Sequence, residues 1–173
     1  MKKITVFTST RAEYGLMKTL IKKLNDDNYF EFNLLISASH LNRKFGNTID
    51  EIKSDGISAD LVLPIDIYTN KRSDMSSQTS EIINQVSLSL EKLKSDYLVI
   101  LGDRFESFGA AAAGHLLGVE NIHLHGGETS LGALDDKLRH AISQLSSIHF
   151  TSAEVHKNKV EQLLGSSKNV FNV

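Results

Sequence analysis

The sequence predicts an α/β fold, a doubly wound parallel sheet, and three observations carry that prediction. Six short apolar runs, at residues 4–8, 32–38, 61–65, 97–101, 122–125 and 148–151, are rich in β-branched and aromatic side chains, as strands are. Amphipathic stretches alternate with them, which makes β–α–β units and therefore parallel pairing. The runs are nearly continuous in hydrophobicity, the pattern of strands covered by helices on both faces. Together these features describe a Rossmann-like sheet.

Taken in order, the first strand leads to a helix with Leu16, Met17, Leu20, Ile21 and Leu24 on one face. Ile49 and Ile52 mark a short helix closed by Gly56. Residues 68–77 (YTNKRSDMSS) read as a long polar loop, either a lid or a plain solvated connection. Met75, Ile82, Ile83, Val86, Leu90 and Leu93 define a long helix, and Leu138, Ile142 and Leu145 another. Val170, Phe171 and Val173 look like the start of one more strand, so a longer protein is expected.

The chain has 173 residues, 40% of them hydrophobic. One domain over residues 1–173 fits that length, since single domains run about 100–200 residues. A chain of this size buries roughly 70% of its unfolded surface, enough for a real core. The net charge of −2 offers no basic face, which argues against a nucleic-acid partner. With no cysteine there is neither a disulfide framework nor a thiolate metal site. The apolar run behind the two N-terminal lysines is too short for a signal core, and no segment approaches the ~20 apolar residues of a membrane span. These features point to a soluble, cytoplasmic protein without a membrane partner.

In open parallel sheets ligands bind outside the carboxyl ends of the strands. Polar clusters occur at three such ends: TSTRAEYG, GDRFES and HGGETS. Thr10 and Glu13 have the spacing of a capping box, as do Asp103 with Glu106 and Thr151 with Glu154. Capping accounts for the three glutamates. Asp103, flanked by Gly102 and Arg104 at the mouth of a buried strand, is equally placed for a ligand. Arg11 and Arg104 fall in first helical turns, where the macrodipole disfavours a cation, so an anionic ligand or an acidic neighbour is expected. Gly126 and Gly127 permit positive φ and close backbone approach to a ligand, although no dinucleotide or P-loop fingerprint is present. His123 and His125 share a strand face and, with Glu128, offer zinc ligands; packing in the core is the alternative. Asp135 and Arg139, like Asp136 and His140, are four apart on a helix. They read either as surface ion pairs or, beside Asp103 and Glu128, as part of an acid/base set.

The combination TSTRAEYGLM, SASHLNRKFGNTIDEI, GDRFE and HLHGGETSLGALDDKLRHAISQLSSIHF resembles the hydrolysing UDP-N-acetylglucosamine 2-epimerases of bacterial sialic-acid and nonulosonic-acid pathways, which supply capsule or surface polysaccharides. The resemblance covers essentially the whole chain. It implies the N-terminal half of a GT-B architecture, whose C-terminal UDP-binding domain is absent here, and a homodimer when full length. It also implies elimination of UDP from the sugar followed by hydration, with no metal and no redox cofactor. By the same resemblance Asp103 and Asp135 are catalytic carboxylates, joined by Glu128 or His125. Arg11, Arg104, Arg139, Gly126, Gly127 and His40 are expected to contact the UDP-sugar. Two departures stand out: many relatives carry a glutamate where this chain has His125, and a lysine where it has Leu16.

Overall fold

The computed structural model describes residues 1–37, 40, 48–65, 71–129 and 134–173. Strands and helices alternate as expected: β1 (Lys2–Thr8), α1 (Arg11–Asp26), β2 (Phe30–Ser37), α2 (Thr48–Ser54), β3 (Leu61–Leu63), α3 (Arg72–Leu93), β4 (Tyr97–Leu101), α4 (Phe105–Leu117), β5 (Glu120–Leu124), α5 (Asp135–Gln144), β6 (Ile148–Thr151), α6 (Glu154–Leu164) and β7 (Val170–Asn172). All seven strands join one parallel sheet in the order β3-β2-β1-β4-β5-β6-β7.

Neighbouring residues on the central strands face opposite ways, and each face has its own core. Leu35, Leu98 and Ile100 pack with Ile82 and Val86 of α3, Ala110 of α4 and Ile142 of α5. Leu34, Ile36, Val99 and Leu101 pack with Tyr14, Met17 and Ile21 of α1 and Ile52 of α2. This two-sided burial is why the strands read as continuous apolar runs rather than alternating ones. Small residues let α4 lie close. A Cβ on Gly109 would meet the Ile82 side chain at 2.9 Å.

Two helical expectations need correction. Leu16 is 64% exposed, because the buried stripe of α1 runs through Tyr14, Met17 and Ile21 at i, i+3 and i+7. The polar stretch 68–77 is helical from Arg72 onward. Serine-rich polar sequence misled there: Asp74 favours the first turn through the macrodipole, and Thr79 satisfies its hydroxyl on the Met75 carbonyl. Residues 66–70 lie outside the described ones. Among the described residues no helix is long and apolar enough to cross a membrane.

β1 lies between β2 and β4, so the direction of winding reverses there. A crevice opens at such a switch point, at the carboxyl ends of the strands. The ends of β1, β4 and β5 are the positions of the three polar clusters.

Candidate active site at the strand ends

At the end of β1 the sequence builds a cap. The Glu13 N–H donates to Thr10 Oγ1, and Glu13 Oε2 accepts from the N–H groups of Thr10 and Ser9 and from the Ser9 hydroxyl, at 2.6–3.1 Å. The expected capping box is therefore present. Burial pushes the Glu13 carboxyl up from its ordinary pKa, against the pull of the Ser9 donors. Arg11, at the first position of α1, points outward, and its Nε lies 3.3 Å from Glu51 of α2. The acidic neighbour that its position called for is Glu51.

The end of β4 looks alike in sequence and differs in structure. Gly102 turns the chain with φ +85°, a left-handed conformation that suits glycine. No side chain caps α4, whose N-cap is Arg104, so the expected Asp103–Glu106 box is absent. Asp103 turns instead toward α5, where its Oδ2 accepts from Arg139 Nη2. Glu106 is fully buried and grips the guanidinium of Arg104, with Nη2 to Oε1 at 2.6 Å. Burial pulls the Arg104 pKa down, but Glu106, with Glu13 and Asp135 farther off, holds it above its ordinary value. The Thr151–Glu154 box is absent as well. Ala153 is the N-cap of α6, and Glu154 pairs with Lys157 on the surface.

β5 supplies the rest. His123 is buried, its Nε2 donating to the Gly102 carbonyl at 2.8 Å while the Ser143 hydroxyl donates to Nδ1 at 2.9 Å. Both ring nitrogens are engaged, and desolvation pulls its pKa down to about 3. It is a core histidine that ties the Asp103 turn to α5. His125 lies beyond the strand at φ +64°, an uncommon conformation for a residue with a Cβ, so the two histidines do not form the paired strand face expected of them. The His125 carbonyl accepts from Arg139 Nη1 at 2.7 Å, and its Nδ1 lies 2.8 Å from Glu128 Oε1. Arg139 Nη1 also lies 3.6 Å from Glu128 Oε2. Among the described residues no group of three or more His, Asp or Glu could hold a metal ion.

The glycine pair serves packing. Gly127 has φ +78°, and a Cβ there would fall 2.2 Å from the His156 carbonyl oxygen. Its close backbone neighbour is thus α6. A Cβ on Gly126 would press on Ser143, His123 and Val160 at 3.1–3.3 Å.

The arrangement joins Asp103, His125 and Glu128 through one buried guanidinium, that of Arg139. The i,i+4 surface pair proposed for Arg139 gives way to this, because Arg139 is only 4% exposed. Asp135 stands exposed at the start of α5, one turn earlier and within electrostatic reach of Arg104. His40 belongs to the β1 end, buried beside Thr8 with Nε2 3.4 Å from its hydroxyl; burial lowers its pKa to about 4. Burial first pushes the Glu128 carboxyl up, but a hydrogen bond from Ser152, together with His125 and Arg139, leaves it below its ordinary value. Sequence reasoning missed Ser152 and His156. Their signal was present, since Ser152 directly follows a strand in a parallel sheet.

Fold and site together define a class: a Rossmann-like parallel α/β domain with carboxylates gathered at the strand ends. Residues 22–173 match the family model described as UDP-N-acetylglucosamine 2-epimerase, and the chain belongs to that family. It is 34% identical to the UDP-N,N'-diacetylbacillosamine 2-epimerase (hydrolyzing) of Legionella pneumophila, over 100% of this chain and 46% of that protein. It is also 34% identical to the GDP/UDP-N,N'-diacetylbacillosamine 2-epimerase (hydrolyzing) of Campylobacter jejuni, over 99% of this chain and 44% of that one. The solved UDP-GlcNAc 2-epimerase from Neisseria meningitidis bound to UDP-GlcNAc superimposes with a TM-score of 0.85 at 26% identity, over 99% of this chain and 46% of that chain. The chain thus spans about half the length of the curated relatives it matches.

Proposed function

We propose that the full-length protein is a hydrolysing 2-epimerase of a UDP-linked 2-acetamido sugar. Its products would be UDP and N-acetylmannosamine or the 2,4-diacetamido counterpart. The observation that supports this best is the convergence of Asp103 and Glu128 on Arg139 at the carboxyl end of the sheet. The names of the relatives from Legionella pneumophila and Campylobacter jejuni favour the hydrolysing branch and the diacetamido sugar.

The chemistry asks for what this cluster offers. A carboxylate removes the C2 proton, and the C–H pair becomes a C1–C2 double bond as the C1–O bond to UDP breaks. Water then adds across the double bond, oxygen to C1 and a proton to the opposite face of C2. We assign the proton transfers to Asp103 and Glu128, with His125 as the partner of Glu128 and Asp135 as a third carboxylate. Arg139 places one cation in reach of both Asp103 and Glu128. Arg11 and Arg104, with the N–H groups of Gly126 and Gly127, are assigned to the sugar diphosphate, whose departing charge such donors stabilise. His40 is assigned to the same pocket.

This reading carries a second domain, a homodimer and a cytoplasmic location with it. The isolated chain would bind but not turn over, because the transition state would be contacted from both domains. Turnover by the 173-residue chain alone would contradict that. For the whole protein, UDP-GlcNAc and its diacetamido analogue are incubated in deuterated water. Free sugar carrying deuterium at C2 is expected. Product without deuterium would end the elimination scheme. A UDP-linked epimer as the sole product would show the non-hydrolysing alternative instead.

A further inference from the structure

Glu128 is held from a direction that the proposed chemistry does not use. Ser152 lies between β6 and α6, and its hydroxyl donates to Glu128 Oε1 at 2.6 Å. His156 sits in the first turn of α6 with Nδ1 3.1 Å from Ser152 Oγ. A serine hydroxyl has one proton to give. Since that proton goes to Glu128, the Nδ1–H of His156 donates to Ser152. The chain of donors therefore runs His156 to Ser152 to Glu128 Oε1, and His125 Nδ1 donates to the same oxygen at 2.8 Å. Oε1 is saturated. Oε2 is left toward Arg139, 3.6 Å away.

A separate feature locks the two segments together. Gly127 lies so close to the His156 carbonyl that no Cβ fits between them, and Lys159 Nζ donates to Thr129 Oγ1 at 2.7 Å. The loop carrying Glu128 is thus clamped on α6 before and after the glutamate. A solvated serine would need no such clamp.

We propose that Ser152 and His156 are positioning residues for Glu128, fixing its Oε1 so that Oε2 is the oxygen that exchanges a proton with the sugar. The proposal rests on Glu128 being an acid/base group in the reading above. Among the described residues, the charged and titratable groups facing Glu128 are His125 from its own loop, Arg139 from α5, and, through Ser152, His156 from α6; Asp103 is linked through Arg139. Removing the Ser152 donor takes a hydrogen bond from the ionised carboxylate, which raises its pKa.

The test uses the full-length protein, with UDP release from UDP-GlcNAc and UDP-diacetylbacillosamine as the readout. Ser152→Ala should lower kcat roughly tenfold to a hundredfold, the worth of one hydrogen bond to a charged group. KM should change little, and the acid limb of the pH profile should move up. Ser152→Thr, which keeps the hydroxyl, should restore both kcat and the limb. His156→Gln should give a smaller shift in the same direction. In a Glu128→Gln background Ser152→Ala should cost nothing further. Carbon-13 titration of the Glu128 carboxyl needs no turnover and should show a higher pKa in Ser152→Ala. An unchanged carboxyl pKa overturns the proposal. So does wild-type kcat in Ser152→Ala when Glu128→Gln is inactive. Full activity in Glu128→Gln would instead remove Glu128 from the reaction, a result separable from either of these.

Discussion

Thr10–Glu13 and Asp103–Glu106 share a spacing, and each stands at the start of a helix that follows one of two neighbouring strands. At the end of β1 the pair closes on itself, and Glu13 is consumed by the N–H groups of Ser9 and Thr10. At the end of β4 the pair splits. Asp103 goes to Arg139 of α5, and Glu106 goes to Arg104. The difference lies in which cation the fold brings near. Glu13 accepts from the N–H groups of Ser9 and Thr10 and from the Ser9 hydroxyl, and so caps its helix. Asp103 meets the buried guanidinium of Arg139 and joins a charge network.

The sharpest way to break this contrast is Asp103→Asn, which keeps the side chain's size and removes the carboxylate to which we assign proton transfer. Turnover of the UDP-sugar should fall about 10²–10⁴-fold, the usual worth of a positioned proton-transfer group. UDP release measures it, and near-normal turnover would return Asp103 to a structural role. Next in size is Arg139→Met. With its cation gone, Asp103 loses its partly buried ion pair, and the cost should be about 3–5 kcal/mol by urea unfolding. A loss under 1 kcal/mol would mean that the carboxylates are solvated rather than bridged.

pH sharpens the comparison further. His123, which ties the Asp103 turn to α5, is neutral in the fold until about pH 3, whereas unfolded histidine titrates near 6.5. Above that pH the two states bind equal protons and His123 contributes no pH dependence. As pH falls from 6.5 toward 3, only the unfolded chain takes up the proton. Stability should then fall by up to about 1.4 kcal/mol per pH unit. Comparing urea midpoints between pH 7 and 5 with those of His123→Gln isolates this slope; equal slopes would refute it. His40, whose pKa is lowered to about 4, adds a second proton over the window 6.5 to 4.

The smallest effects test the caps. Thr10→Ala should cost about 1 kcal/mol, while Glu154→Ala, at the box that does not form, should stay within about 0.5 kcal/mol. Equal costs for the two would erase the distinction between β1 and β6.

Much of this was legible from residues alone. Strand positions came from apolar runs, and β4 and β6 have the predicted boundaries. The gathering of polar clusters at strand ends followed from parallel topology. The pairing of Asp103 with Arg139 was not legible, because the two are 36 positions apart and sit on different elements. Nor was it legible that the missing Cβ of Gly127 makes room for the backbone of α6. Local spacing misled at two capping boxes: Asp103 pairs with Arg139 and Glu106 with Arg104, while Glu154 pairs with Lys157 on the surface of α6.

By itself, then, the sequence determined the parallel α/β sheet, the cap at Thr10–Glu13 and the list of polar residues at the strand ends, because period, length and capping chemistry are local. Only the tertiary structure decided which of those residues meet. Hydrogen bonds and ion pairs act over about 3 Å, and the distance between β4, the β5 loop, α5 and α6 is set by how the helices pack on the sheet, which no spacing along the chain encodes.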